Sequence, residues 1–136
     1  MILVDTSVWI RALRSTTSDE ARHLAAALDA DEVALAAPVR IELLSGASAR
    51  DRPRLRRVLS ALPYWIPGRP TWELVDSWIE PVAAAGERFG LGDLLIGAIA
   101  AEHDAMLWSL DRDFERMAGL RLIRLRAPRS TGKERG

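Results

Sequence analysis

The sequence predicts an α/β domain with a central parallel β-sheet of four to five strands flanked by helices. Short aliphatic runs, of the kind that fill strands buried on both faces, alternate with longer stretches of helical periodicity. This alternation is typical of parallel sheets with helices on both faces. The chain has 136 residues, 49% of them hydrophobic, which is enough to bury one core. We expect a single domain over residues 1–126 and a disordered basic tail at 127–136.

Short runs of residues near the N-terminus predict two strands and two helices. Ile2-Leu3-Val4 is a strand-like aliphatic run, and the helix-starting residues 5–7 end it. The helix that follows has its apolar residues on one face. A second helix begins at Ser18, whose hydroxyl suits an N-cap. Residues 29–32 close that helix, and the run 33–36 is predicted as a second buried strand.

Prolines set the boundaries in the middle of the chain. Pro38 suits the first turn of a third helix, which ends near Gly46, because its missing N–H costs nothing there. Pro53 lies at the start of a fourth helix, and Pro63 stops it. The run 64–66 is then predicted as a short strand.

The last third of the chain is divided by glycines and prolines. A turn at 67–70 leads to a helix from Thr71, in which Pro81 must cause a kink or a split. Residues 90–92 break the chain again, and Asp93 opens a helix rich in small residues that let another element pack closely. The last two predicted strands are 106–108 and 120–125.

Composition excludes several kinds of site. There is no cysteine, so disulfides, thiolate metal sites and a cysteine nucleophile are ruled out, and a metal must be held by oxygen atoms or by two histidines. No apolar run reaches the roughly 18 residues that span a bilayer. We therefore expect a cytoplasmic protein with no membrane association.

The charge distribution is more informative than the net charge, which is zero. A strongly basic nucleic-acid-binding domain is not indicated. Five arginines nevertheless crowd into residues 50–57, and the planar guanidinium group suits phosphate. A solvated helix face is the ordinary explanation of such a run.

Four carboxylates lie where a functional site is expected. Asp5 and Asp111 each follow a predicted strand, and Asp93 opens the glycine-flanked helix. Sites in parallel sheets form at the carboxyl ends of strands. Glu42 lies among aliphatic residues, where a buried charge needs a partner. Taken singly, the aspartates have ordinary explanations as helix caps or turn residues, and a nearby arginine would explain Glu42.

Together the four carboxylates predict a cation site. Two carboxylates about 4 Å apart repel by roughly 4 kcal/mol at an effective dielectric of 20, so four in one place require positive charge. Oxygen-ligated Mg²⁺ or Mn²⁺ fits best and can activate a water at a phosphodiester.

Two other hypotheses stay open. One is a non-catalytic module that binds a structural cation or a partner's arginine. The other is a receiver-type phosphoacceptor, which needs a nearby lysine, whereas Lys133 in the tail is the only one.

Four stretches together resemble the PIN-domain family and, within it, the VapC-type toxins. They are VDTSVWI at 4–10, IELLSG at 41–46, GDLLIGAIA at 92–100 and LWSLDRDF at 107–114. The resemblance covers nearly the whole chain. It implies a PIN-like fold and a magnesium- or manganese-dependent endoribonuclease that is the toxin of a type II toxin–antitoxin pair.

The resemblance also implies the site residues. The family's acidic quartet, with catalytic and metal-binding roles, carries over to Asp5, Glu42, Asp93 and Asp111. Asp113 is a fifth candidate, as a metal ligand acting through water. The family usually has threonine where Ser109 stands, so the hydroxyl is preserved.

The implied partners are an RNA substrate and a VapB-like antitoxin encoded by an adjacent gene. The resemblance further implies a homodimer, and a heterotetramer or a larger assembly with the antitoxin is compatible with it. Large apolar residues are candidate contacts, although core packing is the ordinary role of any one of them. These candidates are Trp9, Ile10, Leu13, Trp72 and Trp78.

Overall fold

The computed structural model describes residues 1–126, and the predicted tail at 127–136 lies outside the described residues. Within them the chain forms five strands and seven helices. In chain order these are β1 (Ile2–Val4), α1 (Thr6–Arg14), α2 (Asp19–Asp29), β2 (Val33–Ala36), α3 (Ala37–Gly46), α4 (Arg52–Ser60), β3 (Tyr64–Trp65), α5 (Arg69–Ala84), α6 (Leu91–Glu102), β4 (Met106–Trp108), α7 (Arg112–Gly119) and β5 (Arg124–Leu125).

The strands form one parallel sheet in the order β3-β2-β1-β4-β5. Ile2 lies opposite Val33 on one side and Met106 on the other, which places β1 at the centre. Every residue of β1 and β2 is buried, as the uninterrupted aliphatic runs predict for strands covered on both faces. The predicted α/β fold with a parallel sheet is confirmed.

The helix α6 packs closely against its neighbours because it contains small residues. A Cβ atom on Gly97 would lie 3.0 Å from the sulfur of Met117 and 3.4 Å from a ring carbon of Trp78. The close packing expected from the small residues of this helix is therefore present. Even a methyl group at position 97 would require the Met117 side chain to shift.

Three helix boundaries differ from the prediction. The helix α5 begins at Arg69 rather than Thr71, because Pro70 fits its first turn and the Gly68 N–H donates to the Thr71 hydroxyl at 3.0 Å. It continues through Pro81 to Ala84 without a split. The helix α6 begins two residues before Asp93, with Gly90 as its N-cap.

The C-terminal region differs more. The predicted strand 120–125 is wrong for its first four residues, and β5 contains only Arg124 and Leu125. The helix α7, which the sequence analysis did not identify, ends just before this segment. The Leu122 N–H donates to the Met117 carbonyl, and Arg121 has φ +62°, so the chain turns sharply here instead of extending. β3 also ends one residue early, at Trp65.

Two of the large apolar candidates for partner contacts belong to the core. Trp9 and Trp78 are buried, whereas Leu13 and Trp72 are about half exposed, at 56% and 48%. Ile10 is also exposed, at 36%, so three of the five candidates remain available to a partner. Separately, no helix within residues 1–126 combines the length and the apolar character needed to cross a membrane.

Candidate metal centre

Asp5 lies at the carboxyl end of β1 and is also the N-cap of α1. It is only 5% exposed. Its Oδ2 accepts hydrogen bonds from the Ser109 hydroxyl at 2.7 Å, the Ser7 hydroxyl at 2.8 Å and the Ser7 N–H at 3.4 Å. The Asp5 side chain can therefore cap α1 and still belong to a functional site. All three bonds use Oδ2, which leaves Oδ1 without a donor among the described residues.

Two serines connect the ends of the neighbouring strands β1 and β4. The Leu110 N–H donates to the Ser7 hydroxyl at 3.0 Å, and the Asp111 N–H donates to the Ser109 hydroxyl at 2.9 Å. Both hydroxyls in turn donate to Asp5. The preserved hydroxyl at position 109 thus holds the Asp5 carboxylate in place. Ser7 does the same, although the sequence did not indicate it as a site residue.

Three aspartates from two helices converge beside Asp5. Asp93 lies in the first turn of α6, Asp111 is the N-cap of α7, and Asp113 is in the first turn of α7. One carboxylate oxygen from each lies within 4.8 Å of the others. The Asp111 Oδ1 accepts from the backbone N–H of Asp113 at 2.9 Å, which orients the Asp111 side chain at the start of α7.

The aspartates affect one another electrostatically. Burial, a hydrogen bond with Asp113 and the negative charges of Asp111, Asp113 and Asp5 raise the pKa of Asp93 to about 7. The group of carboxylates therefore retains a proton near neutral pH unless positive charge replaces it. Asp5 is thus close enough to act on the pKa of Asp93, although it is not one of the three aspartates that converge.

The position of Glu42 differs from the prediction. It is exposed, because the buried face of α3 is formed by Val39, Leu43 and Leu44. The expectation of a buried charge at position 42 is therefore wrong. Glu42 also lies outside the group formed by Asp93, Asp111 and Asp113. Its Oε1 accepts from the Thr6 hydroxyl at 2.9 Å, so it is linked to the residue next to Asp5.

An arginine partly neutralises the acidic group. Arg116 lies 2.8 Å from a carboxylate oxygen of Asp113 and also pairs with Glu87. His103 does not take part, because it stacks on Trp65 with ring centroids 3.9 Å apart and its Nδ1 lies 2.9 Å from the Ile99 carbonyl. The available donors are carboxylate oxygens, which suit a hard divalent cation such as Mg²⁺ or Mn²⁺.

In the absence of metal, Asp93 is expected to make folding less favourable as pH rises. Its pKa in the folded protein, about 7, is above its ordinary value of 3.8, so the folded state binds the proton more tightly than the unfolded state. The stability contributed by Asp93 is fully present below about pH 4 and is lost as pH rises through about 7.

Thermal unfolding in the presence of EDTA measures this effect. Between about pH 5 and about pH 8, we expect the Tm of the wild type to fall by a few degrees relative to that of Asp93→Asn, which cannot titrate. A difference in Tm between the two proteins that stays constant over this range would contradict the prediction.

Known proteins resemble this chain in both sequence and fold. The family model described as the PIN domain matches residues 2–120. The protein named VapC ribonuclease Mb1587 from Mycobacterium bovis is 34% identical over 131 residues, covering 87% of this chain and 92% of its own. Ribonuclease VapC18 from Mycobacterium tuberculosis is 33% identical over 122 residues, covering 86% and 87%. The fold is similar to that of a chain in DNA-bound VapBC from Salmonella typhimurium, with a TM-score of 0.76 at 19% identity over 92% of this chain and 96% of that one.

Proposed function

Since this chain belongs to the PIN-domain family and to its VapC-type members, we propose that it is a divalent-metal-dependent endoribonuclease and the toxin of a toxin–antitoxin pair. The observation that carries the proposal is the convergence of Asp93, Asp111 and Asp113 beside the buried Asp5. The relatives named as ribonucleases support RNA as the substrate.

The chemistry of the donors supports a divalent cation at this position. Asp93, Asp111 and Asp113 would hold it, with Asp5 beside them. When bound, a Mg²⁺ or Mn²⁺ ion lowers the pKa of a water molecule and offsets the negative charge that develops on a phosphodiester. The raised pKa of Asp93 supports this assignment, because closely spaced carboxylates without a cation are forced to share a proton.

The remaining residues of the site prepare it for hydrolysis. Ser7 and Ser109 fix the Asp5 carboxylate, so that its orientation does not depend on a ligand. Arg116 orients Asp113 through their ion pair. We propose Glu42 as the fourth member of the acidic quartet, held next to Asp5 by the Thr6 hydroxyl. In the metal-free protein Asp93 holds a proton near neutral pH, which a bound cation would displace.

The partners follow from the same family membership. We propose that a VapB-like antitoxin inhibits the enzyme and that the toxin forms a homodimer, alone or within a larger assembly with the antitoxin. The VapBC composition of the structurally similar complex supports the antitoxin partner. We also propose that residues 1–126 act as one domain, since they contain one extended hydrophobic core cluster.

Metal removal tests the proposed function. Purified protein free of antitoxin is incubated with total RNA and Mg²⁺ or Mn²⁺, with and without EDTA. We expect cleavage in the presence of metal, its loss in EDTA, and its recovery when Mg²⁺ or Mn²⁺ is added in excess. Recovery shows that EDTA did not damage the protein.

Two results would contradict the proposal. Cleavage that persists in EDTA after extensive dialysis would remove the metal from the reaction. RNA that stays intact at every metal concentration, with a protein that still unfolds cooperatively, would favour a non-catalytic binding module. If expression of the protein stops cell growth although the purified protein is inactive, activity was lost during purification. If expression is harmless, the binding module is favoured.

A further inference from the structure

The helix α4 and the residue before its N-cap carry an unusual concentration of arginines. The segment 50–60 contains five arginines and one acidic residue, Asp51, in a chain whose net charge is zero. Four of the five are exposed, and we call these four the α4 arginine surface. They are Arg50, Arg54, Arg56 and Arg57.

These arginines have no internal partner within residues 1–126. Ion pairs occupy other arginines, including Arg11, Arg69 and Arg124, but none involves the α4 arginine surface. Arg52 has a structural role, because its guanidinium donates to the carbonyls of Leu44 and Ala47 at 2.9 Å each. The positive charge of the other four is therefore directed to solvent.

Packing does not explain the arginines of this helix. Of the nine residues of α4, only Leu59 is buried. Arg56 and Arg57, together with Arg52, line an open depression of about 780 Å³. The helix is thus attached by a narrow apolar contact and presents most of its surface, including a concave basic region, to solvent.

A groove between α1, α3 and α4 contains one of these arginines together with Glu42. Arg54 lines a cavity of about 630 Å³ that is also lined by Arg14 and by Glu42. Glu42 accepts a hydrogen bond from Thr6, the neighbour of Asp5. A ligand in this groove would therefore contact Glu42 as well as Arg54, one member of the α4 arginine surface.

We propose that the α4 arginine surface binds the phosphate backbone of the RNA substrate, with Arg54 holding the strand at the groove that Glu42 also lines. The inference rests on the proposed ribonuclease function and adds a substrate-binding surface to it. Arginine forms charge-assisted, bidentate hydrogen bonds with phosphate oxygens. An acidic catalytic site repels a polyanion, so a separate basic surface is needed to retain the substrate.

Charge complementarity favours RNA over a protein at this surface. A protein partner would have to present several acidic groups to match arginines on two sides of one helix, whereas a nucleic-acid strand carries a phosphate at every nucleotide. Contacts of this kind position the strand without reading its sequence. These arginines are expected to contribute affinity and salt dependence, with little effect on which bond is cleaved.

The test compares two triple variants with the same change in net charge. Arg54→Gln, Arg56→Gln and Arg57→Gln together remove most of the α4 arginine surface, and glutamine keeps a high helix propensity. The matched control combines Arg22→Gln, Arg69→Gln and Arg121→Gln. These lie on α2, on α5 and in the turn before β5. Circular dichroism and thermal unfolding verify that both variants fold.

Binding is measured in EDTA, which prevents cleavage, by the fluorescence anisotropy of a short labelled single-stranded RNA at several salt concentrations. We expect the α4 variant to bind on the order of 10-fold more weakly at low salt and the magnitude of its logarithmic salt slope to fall by about 2. The control variant is expected to match the wild type. Restoring charge with lysine at the same three positions is expected to recover most of the affinity.

Cleavage of total RNA with Mg²⁺, by the same proteins, separates the two proposals. If the wild type cleaves RNA and the α4 variant matches it in affinity, salt slope and rate, the inference is overturned while the ribonuclease function stands. If the α4 variant instead keeps RNA binding but changes its oligomeric state in light scattering, the surface is a contact between copies of this chain, and the inference is again overturned. If the wild type neither binds nor cleaves RNA, both proposals fail.

Discussion

Replacing Asp93 with asparagine is expected to reduce RNA cleavage by about 10²- to 10⁴-fold, the range typical for the loss of a group that acts directly in the reaction. Asparagine has nearly the same shape but lacks the negative charge that supports cation binding. The carboxylates of Asp111 and Asp113 remain within reach of the site, so the loss is specific to one ligand. The measurement is the initial rate of cleavage by purified protein, with growth of expressing cells as a second readout.

The matched control is Asp76→Asn, an exposed aspartate on α5. It changes the net charge by the same amount and is expected to leave the rate unchanged. If the Asp93→Asn variant cleaves RNA at the wild-type rate when metal is limiting, Asp93 has no role in the proposed mechanism.

The Asp5→Asn variant is expected to lose RNA cleavage by a factor similar to that of Asp93→Asn. Its side-chain oxygen can still accept hydrogen bonds from Ser7 and Ser109, so the network at the strand ends is largely retained and the charge alone is lost. A thermal unfolding curve close to that of the wild type verifies that the fold survives. An active and toxic Asp5→Asn protein would show that this carboxylate is only a helix cap.

Replacing Phe114 with alanine is expected to cost about 3–5 kcal/mol of folding free energy, as for other fully buried aromatic residues. Phe114 is 1% exposed, lies on α7 and belongs to the hydrophobic core. Its loss leaves a cavity beneath α7, the helix that has Asp111 as its N-cap and Asp113 in its first turn. We therefore expect the specific activity of the folded fraction to fall as well.

Urea unfolding measures the change in stability. Leu110→Ala provides the control, because Leu110 is 50% exposed and lies just before α7; a change within about 0.5 kcal/mol is expected there. Equal stability of Phe114→Ala and the wild type would contradict the assigned packing. Full activity of a destabilised Phe114→Ala protein would show that the site does not depend on how α7 is packed.

The site was partly predictable from the sequence because strand ends and helix starts are local features. Asp5 and Asp111 could be placed at the ends of strands, and Asp93 at a helix start, from the neighbouring residues alone. The burial of Glu42 was predicted wrongly, because adjacent aliphatic residues on a helix do not all face the core. Ser7 was missed, since a serine in a helix-starting triplet has an ordinary capping role and no local signal points to Asp5.

The sequence by itself determined the α/β class, the buried aliphatic strands and the residues able to bind a cation, since these depend on composition and on periodicity over a few positions. Only the tertiary structure decided which carboxylates meet. The hydrogen bond from Ser109 to Asp5 joins residues 104 positions apart, and the pKa of Asp93 depends on charges from β1 and α7. Distances of this kind are set by the pairing of β1 with β4 and by the packing of α6 against α7, and no short stretch of sequence contains them.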